Sequence, residues 1–227
     1  MKFSDFSQFF SLLSPAILLA GVIIGWSSRK SIDDLHKNLT LYLFLMLCVD
    51  ASARIMGKLG NNFIVLLVYS LIELCFFLHL YNRYLFKKTN KVFLGIGIIG
   101  IVYIIGEIVY FFVLNDMEFR QFQPYSKVVD NFIIVTMALA FYLERINNFK
   151  DLNWNNFRLN TLFLIFFTIT LIIFLPFNFL INEKSGIQFY FFHINIVLII
   201  MLYSYLTFSI WKNARKPKNL NYKGTTK

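Results

Sequence analysis

The stretch LNTLFLIFFTITLIIFLPFNFLI, residues 159–181, decides the fold class of this chain, because it contains no charged residue. An α-helix rises 1.5 Å per residue, so about 20 apolar residues are needed to cross a hydrocarbon core roughly 30 Å thick. The run is long enough, and its apolar residues are continuous rather than alternating with polar ones as in a barrel strand. It therefore predicts a transmembrane helix.

Six further runs of the same kind lie at about 8–27, 38–57, 63–84, 92–114, 128–146 and 188–211, separated by short polar connections. The whole chain of 227 residues is 58% hydrophobic and only 15% charged, whereas soluble domains average about 25% charged residues. We therefore predict an all-α polytopic membrane protein. Its single domain, residues 1–227, is a bundle of seven transmembrane helices that ends in a basic cytoplasmic tail at 212–227.

The basic residues are distributed unevenly between alternate connections. Of the 22 Lys and Arg residues, 16 lie in the first, third and fifth connections or in the tail. Cytoplasmic loops carry such an excess, which predicts an external N-terminus and a cytoplasmic C-terminus. Topology and anionic headgroups of the lipid bilayer also account for the net charge of +10, so no nucleic-acid partner is predicted.

Polar residues at membrane depth form the second signal. Asp50 and Arg54 are four residues apart on one face of the second helix, and Asn62, Tyr69 and Glu73 share an arc of the third. An isolated ion at such depth costs about 2.5 kcal/mol or more, so these side chains should face protein or water. We expect Asp50 and Arg54 to pair with each other or with other polar groups. We expect Glu73 to lack a cationic partner and to be neutral, hydrogen-bonded to a tyrosine.

Three other helices contribute polar residues to the same outer half of the bundle: Tyr103, Glu107, Asp130, Asn131, His193 and Asn195. Two interpretations stay open. The polar groups can hold the helices together, or they can line a cavity that opens to the outside. We favour the cavity, because a bundle needs no one-sided excess of polar groups for its cohesion. These six residues and the five named above are the candidate ligand-binding set.

No metal or other cofactor is predicted. The glycines Gly95, Gly97 and Gly100 match G-x-G-x-x-G, but they lie inside an apolar run without the strand and acidic residue that a dinucleotide site needs. Close helix packing through small residues is the better interpretation. The three histidines do not share a helix face at the spacing of zinc ligands.

Two stretches carry a family resemblance: DASARIMGKLGNNFIVLLVYSLIELCFFLHLYNRY at 50–84 and FFHINIVLIIMLYSYLTFSIWKNAR at 191–215. They resemble an uncharacterised family of seven-helix membrane proteins of Bacteroidota, with an acid in helix two, an Asn pair followed by Y-x-x-I-E, and a closing helix with His, Asn and a terminal Trp. The resemblance implies an architecture and a location in the bacterial cytoplasmic (inner) membrane, and no activity.

A weaker resemblance is to the lysoplasmalogenase family of multi-helix membrane enzymes. It is carried by FFLHLY at 76–81 and by the acid in the preceding helix. The chain departs from that family's pattern, because Val49 stands where a Gly precedes the acid and one helix is missing.

Three functions are compatible with these residues. The first, which we favour, is a non-enzymatic receptor-like or scaffold bundle that binds a small or lipidic ligand and acts through a cytoplasmic or membrane signalling partner. The second is a membrane-embedded lipid hydrolase in which two of Asp50, Glu73 and Glu107 are the general acid and base. The third is a proton- or ion-coupled transporter that uses the same acids.

Overall fold

A computed structural model describes residues 3–59, 63–114, 125–147, 156–180 and 187–215. They form seven α-helices and no strand: α1 (Phe3–Ser27), α2 (Asp34–Lys58), α3 (Phe63–Leu80), α4 (Lys91–Val109), α5 (Ser126–Asn147), α6 (Phe157–Leu180) and α7 (Ile187–Ala214). A π-helical turn continues α3 over Tyr81–Leu85, and another continues α4 over Tyr110–Leu114. These bounds agree with the predicted apolar runs to within a few residues. Asn62 and residues 216–227, most of the predicted tail, lie outside the described residues.

Six of the helices, α2 to α7, are long and apolar enough to cross a bilayer, and α1 contributes a shorter apolar stretch, Leu12–Ser27. Large apolar side chains are exposed along the bundle. On α4, for example, Ile99 and Val102 are 71% and 63% exposed. A water-soluble protein does not leave so much contiguous apolar surface in contact with solvent. The chain is therefore a multi-pass helical membrane protein.

The helices pack in a defined order. α1 packs on α2 and α7, α5 packs on α3 and α6, and α4 packs on α3 and α5 at the edge of the bundle. The buried Phe77 of α3 connects three helices, because its ring lies edge-on to Phe163 and Phe167 of α6 and to Tyr42 of α2. Such edge-to-face pairs stabilise the core beyond the burial of area alone.

One end of the bundle, which we call the basic end, is where α2, α4 and α6 begin and α1, α3, α5 and α7 end. Its described basic residues are Arg29, Lys30, Lys37, Arg83, Lys87, Lys88, Lys91, Arg145, Arg158, Lys212 and Arg215. Asp33 caps α2 there, and Asn213 of α7 both donates to its carboxyl and accepts from its backbone N–H. Burial raises the pKa of Asp33, but hydrogen bonds from His36 and Asn213 and attraction to His36 outweigh burial and lower the pKa to about 2.

Glycines allow close approach of two pairs of helices. A Cβ at Gly25 of α1 would lie 2.8 Å from Cβ of Thr40 in α2. A Cβ at Gly97 of α4 would lie 2.7 Å from the Leu78 side chain, and one at Gly100 would meet Leu74 at 3.0 Å. The predicted packing role is confirmed for Gly97 and Gly100. It is wrong for Gly95, which faces open space because it lies on the outer face of α4.

Gly25→Ala should destabilise the bundle. Both γ substituents of Thr40 face the new methyl group, so rotation of Thr40 exchanges one clash for another, and we expect overpacking to cost about 1–3 kcal/mol. The measurement is thermal unfolding of the purified protein in detergent. Gly95→Ala is the control, because no described atom lies within 4 Å of the added methyl group. Equal unfolding temperatures for both variants would contradict close packing of α1 on α2.

Candidate functional site: a polar cavity beside a buried ion cluster

A cavity of about 370 Å³, which we call the central cavity, lies in the half of the bundle away from the basic end. Among the described helices, every one except α4 contributes to its wall. Three phenylalanines, with Met, Val, Leu and Ile side chains, supply the apolar part of the wall. The polar part consists of Ser14, Asp50, Arg54, Tyr69, Lys127, Thr170, Asn195 and Tyr203.

Asp50 and Arg54 form an ion pair in the cavity wall. Arg54 Nε donates to Asp50 Oδ2 at 2.6 Å. The Arg54 side chain is 37% exposed and the Asp50 side chain is 26% exposed. The four-residue spacing on α2 produces this geometry, as the sequence predicts. This bond joins two residues of one helix, so by itself it does not hold two helices together.

Glu73 is fully buried, and both of its carboxylate oxygens accept hydrogen bonds. Oε1 accepts from the hydroxyls of Tyr42 at 2.8 Å and of Tyr69 at 2.9 Å, so the expected tyrosine partner is present. Oε2 accepts from Nζ of Lys127. The expectation that Glu73 lacks a cationic partner is therefore wrong.

The reason is the position at which α5 begins. The predicted apolar run of that helix begins near residue 128, which puts Lys127 at its outer boundary. In the structure α5 begins at Ser126 and packs on α3, so Lys127 is only 2% exposed and points at Glu73. Its Nζ also lies 4.4 Å from the centre of the Tyr69 ring, a cation–π distance.

Lys127 also donates to Asp130 Oδ2 at 3.0 Å, one helical turn along α5. We call Glu73, Lys127 and Asp130 the buried ion cluster. It sets two carboxylates against one ammonium group. Within the described chain, Asp130 Oδ1 has no hydrogen-bond partner, and neither do the side-chain N and O of the neighbouring buried Asn131. Asp130 is therefore the member of the cluster with unused hydrogen-bonding capacity.

α7 contributes differently from the prediction. Asn195 lies in the wall of the central cavity, and its Oδ1 has no hydrogen-bond partner among the residues described. His193 is not a lining residue, and its ring lies edge-on to Phe192. Asn195 and His193 are two residues apart, so the helix turns them to different faces.

Glu107 and Tyr103 do not belong to the cavity, which corrects their assignment to the ligand-binding set. Glu107 accepts from the backbone N–H groups of Tyr125 and Ser126, both at 2.9 Å, and from the Ser126 hydroxyl. Tyr103 donates to Glu107 at 2.8 Å and is exposed. Among the described helices, α4 packs mainly on α3 and α5, so its polar face reaches the beginning of α5 instead of the cavity. Glu107 satisfies N–H groups at that helix end.

The candidate ligand-binding set omits five polar residues of the site: Ser14, Tyr42, Lys127, Thr170 and Tyr203. Tyr42 donates to Glu73, and Tyr203 lies in the cavity wall with its ring 6.4 Å from that of Tyr42. Helical spacing contains part of the missing signal. Lys127 precedes Asp130 by three residues, and Tyr42 precedes Asp50 by eight, which puts each pair on one face.

Among the described residues, no group of three or more His, Cys, Asp or Glu side chains could hold a metal ion. Comparisons with protein-family models, with curated proteins and with solved structures found no match to this chain.

Glu73→Gln should destabilise the protein, because it removes one of the two carboxylates that compensate a buried ammonium group. Asp130 still pairs with Lys127 in this variant, so the expected loss is that of hydrogen bonds to a charged group, about 1.5–3 kcal/mol. Lys127→Met should be at least as harmful, since it leaves Glu73 and Asp130 without a cation. Unfolding temperature and yield of folded protein in detergent are the measurements.

Asp34→Asn is the matched control, because it neutralises a carboxyl that is 76% exposed and whose partner among the described residues is Lys37 at the surface. Exposed pairs contribute little to stability. If Glu73→Gln matches Asp34→Asn, Glu73 is neutral in the native protein and the buried ion cluster does not stabilise it.

Proposed function

We propose that this protein is a receptor-like membrane bundle that binds a small or lipidic ligand in the central cavity. It spans a bacterial inner membrane seven times, with α1 as the first span, the N-terminus outside and the basic end in the cytoplasm. The central cavity then lies in the outer half of the membrane.

The distribution of the described basic residues supports this orientation. Eleven of them lie at the basic end. The other end has three described basic residues, Arg54, Lys58 and the buried Lys127. Since Lys127 points into the bundle and not into a loop, it does not count as an external charge. The asymmetry is therefore larger than the sequence alone indicated.

The observation that carries the ligand proposal is the composition of the cavity wall. A volume of about 370 Å³ falls in the range of small-molecule sites, which combine mostly apolar walls with a few placed polar groups. Arg54, Asp50 and Asn195 provide charge and hydrogen bonds, while Phe166, Phe174 and Phe192 provide an apolar surface. This wall suits an amphipathic ligand with a polar head and an apolar body.

The binding proposal accounts for the ion pair better than cohesion does. Asp50 and Arg54 are paired within α2 and are partly exposed to the cavity. Interhelical bonds to Glu73 and Lys127 already join α2, α3 and α5. A signal from the cavity would pass to a cytoplasmic or membrane partner at the basic end.

Proton- or ion-coupled transport is the second candidate, and the buried ion cluster favours it. Two carboxylates share one ammonium group, and Asp130 Oδ1 has no hydrogen-bond partner in the described part of the chain. A buried net charge is costly, so the cluster would be most stable with one added proton or cation at Asp130. Lys127 lies in the cavity wall, which would couple that proton to whatever occupies the cavity.

Hydrolysis has less support. Asp50 is paired with Arg54, Glu73 is bound by two tyrosines and Lys127, and Glu107 is on α4 outside the cavity. The three candidate carboxyls thus do not form a general acid–base pair across one cavity.

The orientation can be tested with reporters. A fluorescent protein fused after Lys227 should fluoresce in the cytoplasm, because the excess of basic residues retains that end. An alkaline phosphatase inserted near Lys184 should be active, since that segment should be external. Opposite signals at both sites would overturn the orientation and the outer position of the cavity.

Ligand binding can be tested by mass spectrometry of small molecules and lipids that co-purify in mild detergent. Asp50→Asn with Arg54→Gln should remain folded but lose a molecule that the wild type retains. Asp50→Asn alone should be less stable than the double variant, because it removes the carboxylate that pairs with a partly buried cation and keeps the cation.

Asp34→Asn with Lys37→Gln is the matched control, since it removes another pair on α2, held at 2.8 Å at the basic end. It should retain the molecule. If the wild type, this control and the Asp50→Asn, Arg54→Gln double variant carry the same molecules in equal amounts, Asp50 and Arg54 are not part of a binding site.

A further inference from the structure

A second cavity, of about 460 Å³, lies at the basic end between α2, α6 and α7. We call it the end cavity. It is separate from the central cavity, since the two share no lining residue. Its described wall contains Arg158, Lys212 and His36, together with the polar groups of Ser209 and Asn213, and no Asp or Glu is among these described lining residues.

Arg158 and Lys212 come from different helices, the first turn of α6 and the last turn of α7, and both are exposed. Neither side chain makes a hydrogen bond or ion pair with any residue that the structure describes. Two like charges at one cavity repel each other, so an anion bound between them would stabilise this arrangement.

Asp33, which contacts two residues of this wall, forms no ion pair with Arg158 or Lys212 among the described residues. The Asp33 carboxylate accepts from the backbone and Nδ1 of His36, the latter at 2.7 Å, and from Asn213 Nδ2 at 2.9 Å. These bonds fix His36, whose Nε2 lies 3.1 Å from the Ser209 hydroxyl. The positive charge of Arg158 and Lys212 therefore remains available to a ligand.

Apart from Asn156 and Tyr205, the rest of the described wall is apolar and consists of Leu35, Leu159 and Phe208. Phe208 is 54% exposed, and its ring lies 5.8 Å from that of Trp211. Arg215 stacks over Trp211 at 3.9 Å. Tryptophan with flanking basic residues is typical of the headgroup region of a membrane, and basic pockets between helices at the cytoplasmic surface bind anionic headgroups.

We propose that the end cavity binds a phosphate group, with Arg158 and Lys212 as its charged ligands. Arginine binds phosphate oxygens through parallel N–H groups, and lysine supplies a point charge. The phosphate can belong to the headgroup of an anionic lipid or be free in solution. The site is independent of the central cavity and of the function proposed for it.

The test places the full chain in nanodiscs of phosphatidylcholine alone or mixed with phosphatidylglycerol. Native mass spectrometry then identifies the lipids that stay bound to the protein when it is released from the nanodisc. The wild type should retain phosphatidylglycerol. Arg158→Gln with Lys212→Gln should weaken retention by about tenfold or more, because each lost bond between charged groups contributes about tenfold. Arg83→Gln with Lys88→Gln is the matched control: it removes equal charge at the same end but outside this cavity.

A second arm adds inorganic phosphate to the protein in neutral detergent and follows its unfolding temperature. A rise in the wild type that the double variant lacks, without selective lipid retention, identifies a free phosphate. Selective lipid retention without that rise identifies a lipid headgroup. The proposal is overturned if the wild type and the double variant show the same lipid retention and the same response of the unfolding temperature to phosphate. It is also overturned if the control variant loses as much lipid retention as the double variant. If the double variant does not fold, the single variants Arg158→Gln and Lys212→Gln replace it in both arms.

Discussion

The buried ammonium group of Lys127 is the constraint on which the middle of this bundle depends. A charged group in an apolar interior is stable only when it is paired and hydrogen-bonded. Glu73 from α3 and Asp130 from α5 provide the opposite charge, and the hydroxyls of Tyr42 and Tyr69 complete the hydrogen bonding of Glu73. The relative positions of α2, α3 and α5 are thus set by one polar centre.

Two kinds of ion pair therefore coexist in the same half of the molecule. The buried ion cluster links different helices and is almost fully removed from solvent. The Asp50–Arg54 pair lies within one helix and is partly exposed to the central cavity. The first arrangement suits cohesion and specific packing, whereas the second leaves charged groups where a ligand can reach them. Lys127 belongs to the buried ion cluster and also lies in the wall of the central cavity, so it brings the cluster next to the Asp50–Arg54 pair.

The two ends of the bundle differ in how the helices are joined. At the basic end, hydrogen bonds between distant residues connect α2 with α7 through Asp33 and Asn213. Tyr81 donates to Asn160 at 2.8 Å, and Asn160 donates to the carbonyl of Ala138, which connects α3, α6 and α5. In the other half, the charged groups of the buried ion cluster join α2, α3 and α5 beside the central cavity. Hydrogen bonds of asparagine side chains thus link helices at the basic end, whereas buried charges link them next to the cavity.

Composition and periodicity alone determined the class of this protein and the approximate ends of its helices, because the bilayer imposes a length and an apolar character that are visible in any single segment. Spacing within one helix also predicted the Asp50–Arg54 pair. Which faces meet was decided only by tertiary structure, because it depends on how whole helices pack. The sequence could not show that Lys127 turns inward to Glu73, or that α4 lies at the edge and takes Glu107 away from the cavity. In both cases the partner is supplied by another helix, so no local pattern contains it.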